Sequence, residues 1–237
     1  MAAERFSASR AAQHMACPGS ANLELSIPGW VPPVRDDTKG RKADGTNIHS
    51  ILEHAGSLTP KDMEKTAEAM LYVAKLRRTR RFRILTEAST TAEWLPSKPR
   101  TTVDVGLYTK DELHIIDYKA GMIPVEVVGN VQGLFYAACF AHLAPKATEV
   151  HIHIVQPWAN NTEEWVVTPE ELAQFMAEAV ETDKKILAGN TTLTPTDNCK
   201  FCPAFPHSRG DKGSPMCPAA MQLLYPQPFN EDEILAL

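Results

Sequence analysis

Asp117 and Lys119, in the stretch IIDYKAG, stand two residues apart, so on a strand both side chains leave the same face while Ile116 and Tyr118 point the other way. Asp104, in TTVDVGL, lies on what reads as the preceding strand, and a hairpin between the two brings it beside Asp117. Two carboxylates with an ammonium nearby are what a hydrolytic Mg²⁺ site requires. Carboxylate oxygens hold a hard cation that keeps several of its waters. A lysine can orient or deprotonate one such water while the metal stabilises charge developing on a phosphate oxygen. A D-x-K alone is ordinarily a surface ion pair on a half-exposed strand, so its company matters. His49 and Glu53 lie one helical turn apart upstream, and Gln132 and Tyr136 one turn apart downstream.

The cysteines form a second set. Cys199 and Cys202 make a C-x-x-C that offers two thiolates to one metal centre; Cys217 follows after 14 residues, and Cys17 lies 181 residues upstream. Four thiolates suit zinc and iron–sulfur clusters alike, and His207 offers another fourth ligand for zinc. Cys139, within YAACFAH on the Gln132/Tyr136 helix, reads as a small buried residue.

The elements that must position these residues can be read from periodicity. Ser7 and Ser9 cap a first helix that runs to about Cys17 and ends at Pro18-Gly19. Residues 26–42 read as a loop and 44–56 as a helix with Ile48, Ile51, Leu52 and Ala55 on its apolar side. Thr59-Pro60 opens a further helix whose apolar side is Met63, Ala67, Met70, Leu71 and Ala74, ending in RRTRRFR at 77–83. Strands are predicted over 84–95, 101–109 and 112–119, with a turn at Lys110-Asp111. A helix over 128–144, strands at 147–156 and 163–167, and a helix from Thr168 to about Leu187 follow, the last opened by a Thr168/Glu171 capping box. The final 45 residues lose all periodicity, so something other than an apolar core must hold them.

The chain has 237 residues, 43% hydrophobic and 22% charged, the composition of one soluble globular domain. No apolar run approaches the roughly 20 residues of a membrane span, and MAAERFSASR lacks the apolar core of a secretory signal. Five cysteines in a chain expected to stay in the cytoplasm point to metal ligation or burial rather than disulfides. The net charge of −5 argues against a nucleic-acid partner, but it averages two unlike parts. Residues 1–100 carry 16 Lys and Arg against 11 Asp and Glu, and residues 101–237 carry 8 against 18. The run at 77–83, with Lys39, Arg41, Lys42, Lys98 and Arg100, is the candidate phosphate-contacting surface. Trp30, Phe82 and Trp94 lie in the basic part and are expected mainly to pack. No helix-turn-helix or finger motif is present, which points to recognition of backbone and ends. His151 and His153 alternate on one strand face and read as exposed or hydrogen-bonded rather than metal-binding.

Taken in order, Gly45-x-x-x-His49, then Asp104, then Asp117-Tyr118-Lys119, then Gln132-x-x-x-Tyr136 resembles the RecB-like branch of the PD-(D/E)XK nuclease superfamily, over roughly residues 5–220. The resemblance implies that Asp104 and Asp117 are metal ligands, with His49 an additional ligand and the Tyr118 carbonyl completing the metal shell. Lys119 would be the catalytic lysine, with Gln132 and Tyr136 supporting the site or touching the DNA backbone. Asp117 stands where much of the superfamily has Glu. Glu87 is a candidate for the extra acidic residue of some members, and Glu53 a helper to His49 or a surface charge. One cysteine before the core and three after it resembles the iron–sulfur subgroup, which includes the AddB type and CRISPR-associated relatives. There a cluster staples the C-terminal segment to the N-terminal helix.

The expectations that follow are an α/β fold with a restriction-endonuclease-like core, a central mixed β-sheet flanked by helices. One domain spans 1–237: an N-terminal helical part with the basic run (1–83), a catalytic core (84–190) and a cysteine-bearing C-terminal segment and tail (191–237). Cys17, Cys199, Cys202 and Cys217 would hold a [4Fe-4S] cluster, with Zn²⁺ the alternative. The activity implied is that of an Mg²⁺- or Mn²⁺-dependent DNA exonuclease, 5′→3′, in recombination, repair or end resection. It would be phage-encoded, act in the host cytoplasm, and serve beside a single-strand annealing protein. The rivals are a non-catalytic DNA-binding scaffold of the same fold and a zinc-stapled nuclease.

Overall fold

The computed structural model of the protein describes residues 6–26, 60–119, 121–202, 204 and 217–220. Its helices are α1 (Ala11–Ala16), α2 (Gly19–Ser26), α3 (Pro60–Thr79), α4 (Val131–Phe140) and α5 (Pro169–Leu187). The strands β1 (Arg83–Thr91), β2 (Arg100–Tyr108), β3 (Leu113–Tyr118), β4 (Val150–Gln156) and β5 (Asn161–Val167) form one sheet in sequence order. Neighbours run antiparallel except β3 and β4, which are parallel. Parallel neighbours need a crossover rather than a tight turn, and α4 supplies it. The result is a mixed five-stranded sheet with flanking helices, an α/β fold, as the sequence predicts. The predicted helix over 44–56, and with it His49 and Glu53, lies outside the described residues, as do Trp30, Lys39, Arg41, Lys42 and His207.

Strand alternation sorts the core into two layers. Leu113 and Ile115 of β3, with Ile152 and Ile154 of β4, pack against α4, α5 and the N-terminal segment; Phe6, Phe135 and Ile186 are fully buried there. Ile116, Tyr118 and Val155 face the other way, onto Ala69 and Val73 of α3. All six residues of β3 are buried, which is what a central strand covered on both faces requires.

Three features differ from the sequence reading. The first helix is a 3₁₀ turn at Ala8–Arg10 followed by the short α1, and Gly19 does not only end it but opens a second helix, α2. Strand β1 stops at Thr91 because residues 92–99 fold back in a tight loop that buries Ala92 and Leu95, closed by Ala92 N–H donating to the Pro99 carbonyl at 2.9 Å. On α3 the buried stripe is Thr66, Ala69 and Val73, while Met70 and Leu71 are 55% and 58% exposed. Both stripes recur at helical spacing; the one with Thr and Ala lets the helix axis approach the sheet more closely.

The N- and C-terminal parts meet behind α5. Asn22 Nδ2 donates to the carbonyls of Ile186 (3.1 Å) and Asn190 (2.8 Å). A Cβ on Gly19 would stand 2.3 Å from the Thr192 carbonyl oxygen, so only glycine fits at this close approach.

Candidate active site

Register and crossover bring the predicted residues to one end of β3. The pair Val105–Ile116 sets Asp104, in the middle of β2, beside Asp117 near the end of β3. Asp104 Oδ2 accepts the Tyr118 N–H at 2.7 Å, so the main chain between the second acid and the lysine is tied to the first acid. Asp104 is 8% and Asp117 2% exposed. Lys119 Nζ lies 2.7 Å from Asp117 Oδ2 and donates to Gln132 Oε1 at 2.8 Å; Gln132 Nε2 in turn donates to the Tyr136 hydroxyl at 2.7 Å. Asp117 Oδ2 accepts no hydrogen bond among the described residues despite its burial. A buried carboxylate oxygen so placed is stabilised by charge alone. Two buried carboxylates, one with such an oxygen, are a donor set that fits a hard divalent cation.

Helix α4 is held where Gln132 can reach the lysine. Asn130 caps it, its side-chain oxygen accepting the Gly133 N–H at 2.8 Å. A Cβ on Gly133 would fall 2.4 Å from Ile152 Cγ2 of β4, so the helix lies directly on the sheet at the residue next to Gln132. Gly133→Ala should therefore lower stability by about 1–3 kcal/mol, measured by denaturant unfolding, and lower any activity that depends on Gln132 by more than the stability loss explains.

Of the other predicted residues, Tyr118 turns its side chain into the α3 layer, and burial, then the charges of Asp104 and Glu87, push its phenol well above the ordinary tyrosine range. Glu87 sits on β1 between the pairs Thr86–Val105 and Ala88–Val103, across from Asp104, with φ +43°. A left-handed backbone is uncommon for a glutamate, and here it falls opposite Asp104 in the register. Phe82 and Trp94 pack, as expected: Phe82 edge-on to His114, and Trp94 against Phe135 and Phe175. The arginines at 77, 78, 80, 81 and 83 are exposed, but Arg80 is tied to Asp111 at 2.8 Å and to Glu112.

Cys17, Cys199, Cys202 and Cys217 line one small cavity, shared with Gln13 and Ser20. Thr194 N–H donates to Cys17 Sγ and Thr196 N–H to Cys199 Sγ, both at 3.3 Å. Such bonds stabilise a sulfur that carries negative charge. Burial pushes the Cys202 thiol up to about 11. Cys139 is buried elsewhere, on α4.

The sequence reading missed a histidine cluster. His114 pairs with His151, and Ile116 with His153, in the β3–β4 register. The three imidazoles stack in the α3 layer, with centroids 4.3 Å apart for His114 and His151 and 5.1 Å for His114 and His153. His153 is fully buried rather than exposed. The groups Glu112–His114–His151 and His114–His153–Glu164 each bring their ligand atoms within 4.8 Å of one another, compatible with a divalent metal. Both His151 and His153 are hydrogen-bonded, as read: His151 to Glu164, and His153 to His114 and Tyr72. The signal available was His114 itself, a polar residue inside an otherwise apolar strand.

Burial, then the charges of His114 and His151, holds His153 down from an ordinary 6.5 to about 3. Burial, then Arg10, does the same to His14. Both are neutral in the folded protein, whereas the unfolded chain takes up their protons as pH falls below 6.5. The stability linked to them is present above that value and is lost as pH falls toward 3. Melting temperature should therefore drop between about pH 7.5 and about pH 4.5, and His14→Leu should flatten the drop.

The chain belongs to the DUF2800 family, a family of unknown function, which it matches over residues 68–237. No curated protein matches it. Among solved structures it is similar to a candidate exonuclease from Eubacterium rectale, with 13% identity, TM-score 0.48, and 95% of this chain and 97% of that one covered. It is also similar to SSO0001, with 13% identity, TM-score 0.40, and 83% and 84% covered.

Proposed function

We propose that this protein is a divalent-metal-dependent DNA nuclease of the PD-(D/E)XK superfamily, in its RecB-like, cysteine-stapled branch. The observation that carries the reading is the chain Asp117–Lys119–Gln132–Tyr136, in contact link by link, with Asp104 bonded to the main chain beside it. A cation held by Asp104 and Asp117 would supply Lewis acidity toward the scissile phosphate. Lys119 holds the proton position: its ammonium is fixed by Asp117 and Gln132 and stands where it can orient a water and stabilise its loss of a proton. Gln132, held by Tyr136, keeps the lysine from swinging into solvent. Glu87, across from Asp104 in the register, would add negative charge that favours a cation, and the Tyr118 carbonyl would offer it a neutral oxygen. The exposed arginines at 77, 78, 81 and 83 would contact DNA phosphates, and Arg80 would brace the run through Asp111 and Glu112.

The cysteine cavity supports the second half of the reading. A structural [4Fe-4S] cluster is the group proposed for these thiols, with Zn²⁺ the alternative, since both accept four thiolates. Polarity 5′→3′, phage origin and a recombination partner complete the proposal.

The test is incubation of the full chain with end-labelled linear, nicked and circular DNA and Mg²⁺ or Mn²⁺. Nucleotide release from linear DNA alone is expected for an end-dependent exonuclease. Cleavage of circles would replace that with an endonuclease, and inertness of all three would favour the scaffold. Freshly purified protein should be brown; a colourless anaerobic sample containing zinc would remove the cluster.

A further inference from the structure

We propose that Glu112, His114 and His151 form a binding site for a first-row transition dication of the Zn²⁺ class, on the α3 face of the sheet and separate from Asp104 and Asp117. Alternation along β3 separates the two sites: Ile116 and Tyr118 face α3 together with His114, and Asp117 faces the opposite side. Two imidazoles and a carboxylate are the ligand set such ions prefer, with a fourth position left for water. The ligand atoms lie within 4.8 Å of one another, and a tetrahedral site needs about 3.4 Å, so binding would draw them together by about 1.4 Å at most. Access is open, because Glu112 and His151 are partly exposed while His114 is buried.

What distinguishes this cluster from stacked core histidines is that each ligand already has a partner on its far side. His151 Nδ1 is 2.6 Å from Glu164 Oε1, which leaves Nε2 for an ion. His114 Nε2 is 2.8 Å from Glu112 Oε1, its Nδ1 is 2.9 Å from His153 Nε2, and His153 Nδ1 is 2.9 Å from the Tyr72 hydroxyl. Metal-bound histidines are characteristically oriented by such bonds on the other nitrogen.

Proton accounting fits as well. Without an ion, the acceptor-only Glu112 carboxylate requires the His114 proton on Nε2. His114 Nδ1 then accepts from His153 Nε2–H, and His153 Nδ1 from Tyr72. With an ion on His114 Nε2 the chain reverses. His114 Nδ1–H donates to His153 Nε2, and His153 Nδ1–H donates to the Tyr72 oxygen. The count of protons is the same in both states, so the buried cluster accepts the ion without ejecting a proton into the apolar layer. The ion would clamp the 111–112 turn, and Arg80 with it, onto β4.

The full chain is stripped with a chelator and titrated with Zn²⁺ in excess Mg²⁺, read by calorimetry and by zinc content after gel filtration. His151→Gln and Glu112→Gln should each bind one equivalent less than wild type. Tyr72→Phe should keep that equivalent but bind it about tenfold more weakly. The thiol cavity also takes Zn²⁺, so Co²⁺ serves as a second probe: the His151-dependent part of its visible spectrum should lack thiolate charge transfer. Independently of any variant, diethyl pyrocarbonate should modify His151 in the stripped protein, and Zn²⁺ should protect it. Unchanged zinc equivalents in both variants, thiolate character in the His151-dependent cobalt signal, or no protection of His151 overturns the proposal.

Discussion

Lys119→Ala should lower cleavage of end-labelled DNA by about 10²–10⁴-fold, the range lost with one proton-transfer group, while DNA binding persists. The ammonium is held between Asp117 at 2.7 Å and Gln132 at 2.8 Å and is about a quarter exposed, so it is positioned before substrate arrives. Its removal has a second effect. Asp117 is 2% exposed and its Oδ2 accepts no hydrogen bond among the described residues. Losing the neighbouring cation leaves a buried carboxylate uncompensated, which costs about 3–5 kcal/mol when a buried pair is broken. The variant should therefore melt lower than wild type, and Mg²⁺ should recover part of the loss by occupying the same oxygens. Asp117→Asn separates the two effects, since it removes the buried charge along with the metal ligand: activity is lost, stability is spared, and the Mg²⁺ response disappears. A Lys119→Ala protein that cleaves at the wild-type rate sinks the mechanism. A melting temperature indifferent to Mg²⁺ in wild type and variant alike sinks the placement of the cation.

How much of this was legible in the sequence depends on how local each signal is. The D-x-K face is a property of three consecutive residues, and the capping box at Thr168/Glu171 and the Lys110-Asp111 turn are equally local; each appears as read. The Gln132/Tyr136 pair was legible as one helical turn, and its link to Lys119 followed once α4 was recognised as the crossover. The buried face of α3 was not legible, because Ala67/Met70/Leu71/Ala74 and Thr66/Ala69/Val73 are both helical stripes and the sheet selects the one that packs closer. The histidine cluster depends on a longer-range fact still. His114 and His151 are 37 residues apart, and only the parallel register of β3 and β4 sets them side by side. Arg80 was read as a phosphate contact from its neighbours in sequence, whereas its partners Asp111 and Glu112 come from the next hairpin.

Cys202→Ser should remove the cysteine-held group and lower the melting temperature by about 10 °C or more, at roughly 2–4 °C per kcal/mol for a chain of this size. The reason lies in what the cavity connects. Cys17 ends α1, Cys199 lies within a 3₁₀ turn after α5 that Cys202 closes, and Cys217 opens the last described segment; Ala204 and Ala220 are buried among these thiols. Among the described residues of this cluster the buried ones are Cys202, Ala204, Cys217 and Ala220, a small apolar set to weigh against the entropy of ordering the chain. Binding energy at the proposed cysteine-ligated centre would therefore serve as folding energy for this part. Without it, the contacts of Gly19 with Thr192 and of Asn22 with Asn190 are left to hold the N-terminal helices, and proteolysis should begin within 190–202. Cys139→Ala is the matched control: an equally buried cysteine, on α4 and outside the cavity, whose loss should leave metal content unchanged and cost about 1 kcal/mol. The proposed catalytic chain from Asp117 to Tyr136 includes none of these thiols, so the Cys202 variant should retain metal-dependent cleavage at low temperature and lose it on warming, in step with the loss of the cysteine-held part. Equal metal content and equal melting temperature for the two cysteine variants would show that the four thiols hold nothing and that the last segment is ordered by packing alone.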